Sequence, residues 1–313
     1  MATHPERVSM TSGGPGDIRP SRNQRRDAAR EKARQLRLEQ RKKDRRNKVL
    51  LKGGIAFALV AIAAIVASVI VSSVPTVGPG PANMASDGLR IGEGMAVQKT
   101  AALNPEAKPV PSKPDPSGSV AEIRVYVDYL CPLCGEFDTT NSEQIANWVE
   151  SGAATVEIHP VSVLTSKSAG TQYSLRAGNA AACVANHSPE DFYAFNSALF
   201  ADQPAEGTAG LSDDELKDVV KKAGVSTDVS KIEKCIDDGT YESWVRAATR
   251  RALAGPIPNS SIPAITSTPT VLVNGKQYVG DLKDPKEFAS FVLQAAGETY
   301  STSTPTPTPA PTS

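Results

Sequence analysis

Two cysteines separated by two residues are the part of this sequence best suited to chemistry. The motif Cys131-Pro132-Leu133-Cys134 places two thiols about one helical turn apart, directly after the apolar run 123–127. A strand that leads into such a motif at the start of a helix is typical of thiol–disulfide exchange. The reason is that a helix N-terminus stabilises the first sulfur as a thiolate. The same spacing also occurs in half of a zinc site or in a structural pair.

The elements around the motif follow from the periodicity of apolar residues. Alternation predicts a strand over 122–129 and a second strand over 155–159. Between them we predict a helix to about Gly152, with Cys131 at its N-cap and Pro132 at its first position, where the missing N–H costs nothing. This strand–helix–strand unit favours parallel pairing with a right-handed crossover.

A block of helices is predicted over 171–253. Within it, the segments that begin at Ser188 and Ser212 both have the sequence pattern of a capping box. Two cysteines, Cys183 and Cys235, lie in this block. The block is therefore an all-α insertion into the β pattern.

The β pattern returns after the helical block. Strands are predicted over 270–273 and 276–279, joined by Asn274-Gly275, which is a strong signal for a hairpin. Asp284 then caps a last helix that ends near residue 298.

The N-terminal part carries a charge pattern of its own. Residues 1–52 contain sixteen Lys and Arg against six Asp and Glu, and residues 53–74 contain no charged residue. About twenty such apolar residues span a bilayer, and this run is longer than the core of a secretory signal. We predict an uncleaved transmembrane helix over 53–74, with cleavage near Ala85 as the alternative. The positive-inside rule places 1–52 in the cytoplasm and the rest outside the cell membrane.

Two segments have compositions that do not favour a packed core. Residues 75–118 are rich in Pro, Gly, Ala and Ser and predict a linker, and residues 299–313 predict a disordered Thr/Pro-rich tail. The basic arm over 1–52 lacks aromatic residues that could stack on bases. We expect it to set topology and contact anionic lipid rather than to bind nucleic acid.

All four cysteines follow the predicted span, on the side where disulfides persist. Four cysteines allow three pairings. A separate bond between Cys183 and Cys235 leaves Cys131 and Cys134 free for redox chemistry. A four-cysteine zinc site is the rival, although a second C-x-x-C is absent. We favour the bond and predict no metal.

Two further residues have open roles. His159 follows the active-site helix and could approach the cysteines or have a structural role. Asp128, three residues before Cys131, could tune the thiol or be a solvated carboxylate at the end of a strand.

Three motifs in this order resemble one known family. They are the segment 128–134, Thr268-Pro269-Thr270 and Val273-Asn274-Gly275. Over about 120–297 the chain resembles DsbA-like thiol–disulfide oxidoreductases, and in particular membrane-anchored, extracytoplasmic proteins of actinobacteria. The resemblance implies an α/β thioredoxin fold over 119–298 with the helical insertion at about 168–254, preceded by one transmembrane helix.

The resemblance also implies roles for individual residues. Cys131 is the sulfur that exchanges with substrates, Cys134 resolves the mixed disulfide, and Pro132 and Leu133 tune the pair. Thr268 and a cis Pro269 lie beside the sulfurs and contact the substrate. Leu133 stands where well-known oxidising members have His, so strong oxidising power is not implied.

The function that the resemblance implies is the introduction of disulfides into reduced secreted or surface proteins, without a cofactor. It also implies reoxidation by a quinone-linked membrane protein of the DsbB or vitamin K epoxide reductase type. Two alternatives stay open: a disulfide reductase or isomerase on the same fold, and a membrane-anchored binding module without catalysis.

Overall fold

A computed structural model of the chain describes residues 78–105 and 107–303, together with Glu31 and Arg34, both of which are helical. The predicted transmembrane helix over 53–74 and the remainder of the basic arm lie outside the described residues, as does 304–313 of the predicted tail. Within the described part, no helix is both long enough and apolar enough to cross a bilayer.

One mixed sheet organises the described chain. Its strands, in the spatial order β2-β1-β4-β3-β5-β6, are β1 Leu89–Gly92, β2 Ala96–Val97, β3 Ala121–Val127, β4 Ala154–Pro160, β5 Thr270–Val273 and β6 Lys276–Gln277. β3 and β4 pair in parallel, whereas the pairs β1–β2, β1–β4, β3–β5 and β5–β6 are antiparallel. The predicted parallel pairing of the two strands around the active-site helix is therefore confirmed.

Seven helices of the described region accompany the sheet: α1 Pro132–Glu150, α2 Tyr173–His187, α3 Phe192–Ala201, α4 Asp213–Lys222, α5 Val229–Asp237, α6 Glu242–Ala254 and α7 Pro285–Ser303. α1 begins with Cys131 at its N-cap, as predicted, and runs without a break. α2 to α6 form the helical insertion between β4 and β5. The predicted order of strand–helix–strand, helical block and strand–strand–helix is confirmed.

The two faces of the sheet have different coverings because residues alternate along each strand. Ile123, Val125 and Val127 of β3 lie in the main core, which also contains side chains of α1 and α7. Tyr126 points to the opposite face and packs in a smaller cluster with Ala252 of α6. β3 is thus buried on both sides and carries the active-site motif from the middle of the sheet.

The prediction of a linker over 75–118 is wrong for residues 84–97, which are built into the fold, whereas the described residues of 101–118 form no helix or strand. β1 pairs with β4 along the sheet edge, and Leu89 and Ile91 are fully buried in the core. Met84 and Val97 are buried as well. Only two alternating apolar residues mark β1, which is too short a pattern to recognise within a Pro- and Gly-rich stretch.

Four smaller expectations have mixed outcomes. Ser212 forms the predicted capping box with Glu215. The capping box at Ser188 is wrong, because its hydroxyl donates to the Asp191 carboxylate instead of accepting a backbone hydrogen bond. The Asn274-Gly275 hairpin is present, although β6 ends at Gln277, and α7 extends past residue 298 to Ser303.

Cys183 of α2 and Cys235 of α5 form a disulfide whose cysteines are 52 residues apart. By the chain-entropy estimate, closing a loop of this length contributes about 4 kcal/mol to stability. The bond ties two helices of the insertion together and leaves Cys131 and Cys134 as free thiols.

The burial of β1 leads to a prediction for stability. Leu89→Ala should lower the free energy of unfolding by about 2 to 5 kcal/mol, because it leaves a cavity beside β4. Val110→Ala is the matched control, since Val110 lies in the same segment but is 58% exposed. Denaturant unfolding of both variants measures the difference, and equal, near-zero effects would show that the segment is only a tether.

Candidate active site

The dithiol lies where β3 meets α1. The backbone turns after Val127, and the N–H of Cys131 donates to the carbonyl of Asp128 at 2.9 Å. Pro132 occupies the first turn of α1, and the N–H of Cys134 donates to the carbonyl of Cys131 at 3.0 Å. The sulfur of Cys131 is therefore held at the end of the helix at which backbone N–H groups are free to stabilise negative charge.

The sulfur of Cys131 is acidic for a thiol. The largest influence is a hydrogen bond from the Cys134 side chain, which helps to lower the pKa of Cys131 from 9.0 to about 6. A side-chain hydrogen bond from Thr268 and the backbone N–H of Cys134 act in the same direction, and together they outweigh burial, which raises the pKa. At pH 7 Cys131 is therefore mostly a thiolate, the form that attacks disulfides.

Cys134 has the opposite character. It is 1% exposed, and burial raises the pKa of its thiol well above the ordinary value. Cys131, although only 6% exposed, lines an open groove. A substrate can thus reach Cys131, while Cys134 stays protonated beneath it until a mixed disulfide forms.

The peptide between Thr268 and Pro269 is cis and faces the dithiol. As a thiol, Cys131 donates to the carbonyl of Thr268 at 3.1 Å. The position follows from the sheet, because β5 pairs with β3 and Thr270 lies opposite Tyr126, close to the end of β3. Thr268 and Pro269 therefore lie where the sequence analysis expects them, and their role in binding substrate stays a prediction.

A groove of about 540 Å³ runs past Cys131. Its walls include Leu133, which is half exposed, together with Leu164 and Thr268. Glu206 supplies the acidic side chain of the lining. Leu133 thus places an apolar side chain at the mouth of the site and contributes no hydrogen bond to the sulfur.

Comparison with known proteins settles the family. A family profile described as Thioredoxin matches residues 117–293, more than half of the chain. The chain belongs to the thioredoxin family. The predicted thioredoxin fold is confirmed, and the described domain carries the free thiols of Cys131 and Cys134 at the start of α1.

One curated relative matches part of this thioredoxin-family chain. It is 33% identical to the serine/threonine-protein kinase PknE of Mycobacterium tuberculosis over 138 residues, which are 42% of this chain and 24% of that protein. The chain thus spans about a quarter of the length of the curated relatives that it matches.

Solved structures of two Mycobacterium tuberculosis proteins are also similar to this chain. Reduced DsbA from Mycobacterium tuberculosis is 27% identical with a TM-score of 0.48, covering 70% of this chain and all of that one. The reduced form of DsbG from that organism is 28% identical with a TM-score of 0.49, covering 74% of this chain and 97% of its own.

Asp128 of the thioredoxin domain is fully buried, so the interpretation as a solvated carboxylate is wrong. It accepts hydrogen bonds from the Ser174 hydroxyl at 2.6 Å, the N–H of Leu164 at 2.8 Å and the N–H of Leu130 at 2.9 Å. Burial raises the pKa of the Asp128 carboxyl and outweighs these three hydrogen bonds, which lower it. Asp128 thereby joins the active-site turn to α2 and to one wall of the groove.

Asp138 is a functional candidate that the sequence analysis missed. It lies one helical turn after Cys134 on α1 and accepts hydrogen bonds from Asn196 at 3.0 Å and Ser197 at 3.4 Å. Burial raises the pKa of its carboxyl to about 6. Asp138 and Cys134 both line a small cavity of about 20 Å³, enough for one water molecule.

Gln203 is a second residue that the sequence did not reveal. Its side-chain amide donates to the carbonyls of Cys131 at 2.9 Å and Tyr129 at 3.1 Å. Gly135 makes this approach possible, because a Cβ at that position would lie 2.4 Å from the Gln203 side chain. The insertion therefore fixes the backbone of the redox motif.

The remaining candidates lie away from the dithiol. Cys183 and Cys235 are joined to each other, and the described residues contain no group of three or more His, Cys, Asp or Glu that could hold a metal. His159 stacks on Tyr126, with 4.5 Å between the ring centroids, and lines a different cavity from Cys131.

The lowered pKa of Cys131 predicts how alkylation depends on pH. The rate of iodoacetamide labelling of the reduced protein should rise with pH to a midpoint near pH 6 and level off above it, because the thiolate is the reactive form. Cys134→Ala removes the strongest hydrogen bond to the sulfur and should move the midpoint upward. Mass spectrometry of labelled Cys131 gives the rates, with Cys131→Ser as the blank.

A wild-type midpoint close to pH 9, unchanged in Cys134→Ala, would contradict this description of the site.

Proposed function

We propose that this protein is an extracytoplasmic thiol–disulfide oxidoreductase that introduces disulfides into reduced secreted or surface proteins. The observation that carries the proposal is the contrast between the two sulfurs, an acidic Cys131 at a groove and a buried, protonated Cys134. A binding module that does not use the dithiol has no need of this contrast.

The exchange proceeds in two steps from the disulfide form. A substrate thiolate attacks the sulfur of Cys131, which forms a mixed disulfide and releases Cys134 as a thiolate that takes up a proton. The second substrate thiolate then attacks the substrate sulfur of the mixed disulfide and releases Cys131 as a thiolate. Two electrons pass from the substrate to the protein, which is left as the dithiol.

The acidity of Cys131 favours this direction of transfer. Its thiolate stabilises the dithiol product and has no counterpart in the disulfide form. A pKa near 6 instead of 9.0 is worth about 1.4 kcal/mol at pH 7, or about tenfold in the exchange equilibrium. This contribution grows as pH rises to 9 and is lost as pH falls below 6.

Asp138 donates protons to Cys134 and accepts protons from it in this proposal. When Cys134 leaves as a buried thiolate it needs a proton, and when it attacks a mixed disulfide it must lose one. A carboxyl with a pKa of about 6 serves both directions near neutral pH. One water molecule in the cavity that both residues line would connect them.

We also propose the cellular setting. The apolar run 53–74 anchors the chain in the cell membrane with the basic arm in the cytoplasm. The disulfide between Cys183 and Cys235 supports an oxidising compartment for the thioredoxin domain. Turnover then requires a membrane partner that oxidises the dithiol, for which a quinone-linked protein of the DsbB or vitamin K epoxide reductase type is the proposed class.

The direction of transfer can be tested with the purified full-length protein. Oxidised protein should transfer its disulfide stoichiometrically to a reduced dithiol peptide, as followed by mass spectrometry. Cys131→Ser should abolish transfer. Cys134→Ser, first activated on Cys131 with an aromatic disulfide, should accumulate a mixed disulfide between Cys131 and a peptide that has a single thiol, because neither Cys134 nor a second peptide thiol is there to resolve it.

Two results would redirect the proposal. In the first, oxidised protein fails to transfer its disulfide while the dithiol form reduces disulfide peptides efficiently. This result would favour the reductase or isomerase alternative, which is open because Leu133 stands where oxidising members have His. Retention of cellular function by Cys131→Ser would favour the binding module.

Asp138→Asn should slow the attack of Cys134 on a mixed disulfide. In protein that carries thionitrobenzoate on Cys131, release of the aromatic thiol should accelerate as pH rises through about 6, because Asp138 then becomes a base. The variant should lose this inflection and release the thiol about a hundredfold more slowly at neutral pH. Stopped-flow absorbance measures the release.

Glu143→Gln is the matched control for Asp138→Asn, because Glu143 is an exposed acid on the same helix. If Asp138→Asn keeps the wild-type rate and pH profile, another group handles the proton of Cys134.

A further inference from the structure

A second cavity lies on the face of the sheet opposite to α1, with a volume of about 460 Å³. Its floor includes Tyr126 of β3 and His159 of β4, and its walls come from the end of α6 and from the segments 108–111 and 255–258. It shares no lining residue with the groove at Cys131. Disulfide exchange therefore leaves this cavity without a role.

His159 is the unusual residue of this cavity. It is 4% exposed, and neither ring nitrogen has a hydrogen-bond partner among the described residues. The nearest acid, Glu157, is 3.6 Å from Nε2, too far for a hydrogen bond. Buried polar groups are normally satisfied, so an unsatisfied imidazole in the lining of a cavity indicates a ligand.

The carboxylate of Glu157 is already occupied by other donors. It accepts hydrogen bonds from Ser86 at 2.5 Å, Ser112 at 2.7 Å and Arg124 at 3.3 Å. His159 and Arg124, with the hydroxyl of Ser86, hold the pKa of Glu157 well below its usual range although burial opposes them. Glu157 thus attracts His159 electrostatically, but its hydrogen bonds go to other residues and leave both ring nitrogens of His159 without one.

The charge of the lining favours an anion. Arg251 and Asp87 neutralise each other through two hydrogen bonds of 2.6 and 2.7 Å. Lys108 is exposed at the cavity and has no ion pair within the described part of the chain. One cation is thus in excess in a lining that also contains an imidazole that can donate a hydrogen bond.

The remaining lining is apolar. It consists of the Tyr126 ring, aliphatic side chains such as Val161 and Ile257, alanines of α6, and several prolines. A volume of this size accommodates a small organic molecule, and an apolar lining with a few polar groups is typical of such sites.

We propose that this cavity binds a small organic anion that has an apolar, ring-containing body. The anionic group lies towards Lys108 and His159, and the body packs against Tyr126 and the prolines. Binding at this site involves no exchange with Cys131 or Cys134, so it is independent of the proposed disulfide transfer.

Two fluorescent probes of similar shape test the proposal on the purified full-length protein. Anilinonaphthalene sulfonate is anionic, and phenylnaphthylamine is its uncharged counterpart. Ala252→Phe, which places a large ring in the cavity, should abolish the saturable binding of the anionic probe. Lys108→Gln should weaken that binding about threefold and leave the uncharged probe unaffected.

Three controls make the result specific. Lys113→Gln removes an exposed cation from the same segment outside the cavity and should leave both probes unaffected. Alkylation of Cys131 should also leave binding unchanged, because the groove is separate. Thermal unfolding identifies a variant that has lost its fold.

The proposal is overturned if folded Ala252→Phe binds the anionic probe as wild type does, or if alkylation of Cys131 removes the binding. It is also overturned if Lys108→Gln and Lys113→Gln have equal effects. Should Ala252→Phe fail to fold, the comparison of the two lysine variants decides, because both positions are exposed.

Discussion

Stabilisation of one sulfur as a thiolate at the start of α1 is the interaction on which the rest of the site depends. The Cys134 side chain, Thr268 and backbone N–H groups converge on the sulfur of Cys131 and outweigh the cost of its burial. Two of these donors belong to Cys134, in the first turn of α1, and the third belongs to Thr268, 137 residues along the chain, so the full acidity of Cys131 requires the folded domain. The sheet supplies this arrangement by placing β5 beside β3.

The helical insertion makes the arrangement rigid. Gln203 holds the carbonyls of the redox motif, Ser174 of α2 binds Asp128, and Asn196 of α3 binds Asp138. The disulfide between Cys183 and Cys235 in turn restrains two helices of the insertion. The insertion is therefore part of the active site, although both exchanging sulfurs belong to α1 and its cap.

Much of the fold follows from local sequence signals. The cysteine motif, the capping proline and the Asn274-Gly275 turn each act within a few residues, so their positions are predictable. The burial of Leu89 and Ile91 is not predictable in this way, because it depends on pairing with β4, far along the chain. Asp138 escaped prediction for the same reason, since a carboxylate at that spacing is buried only because α3 covers it.

The measurement that tests the thiolate most directly is the reduction potential of the Cys131–Cys134 pair as a function of pH, in glutathione buffers. We expect a potential above the thioredoxin value of about −270 mV at pH 7. We also expect the slope of the potential against pH to change near pH 6, because above that pH reduction takes up one proton instead of two. A potential at or below the thioredoxin value, with no change of slope until pH 8 or higher, would contradict both expectations.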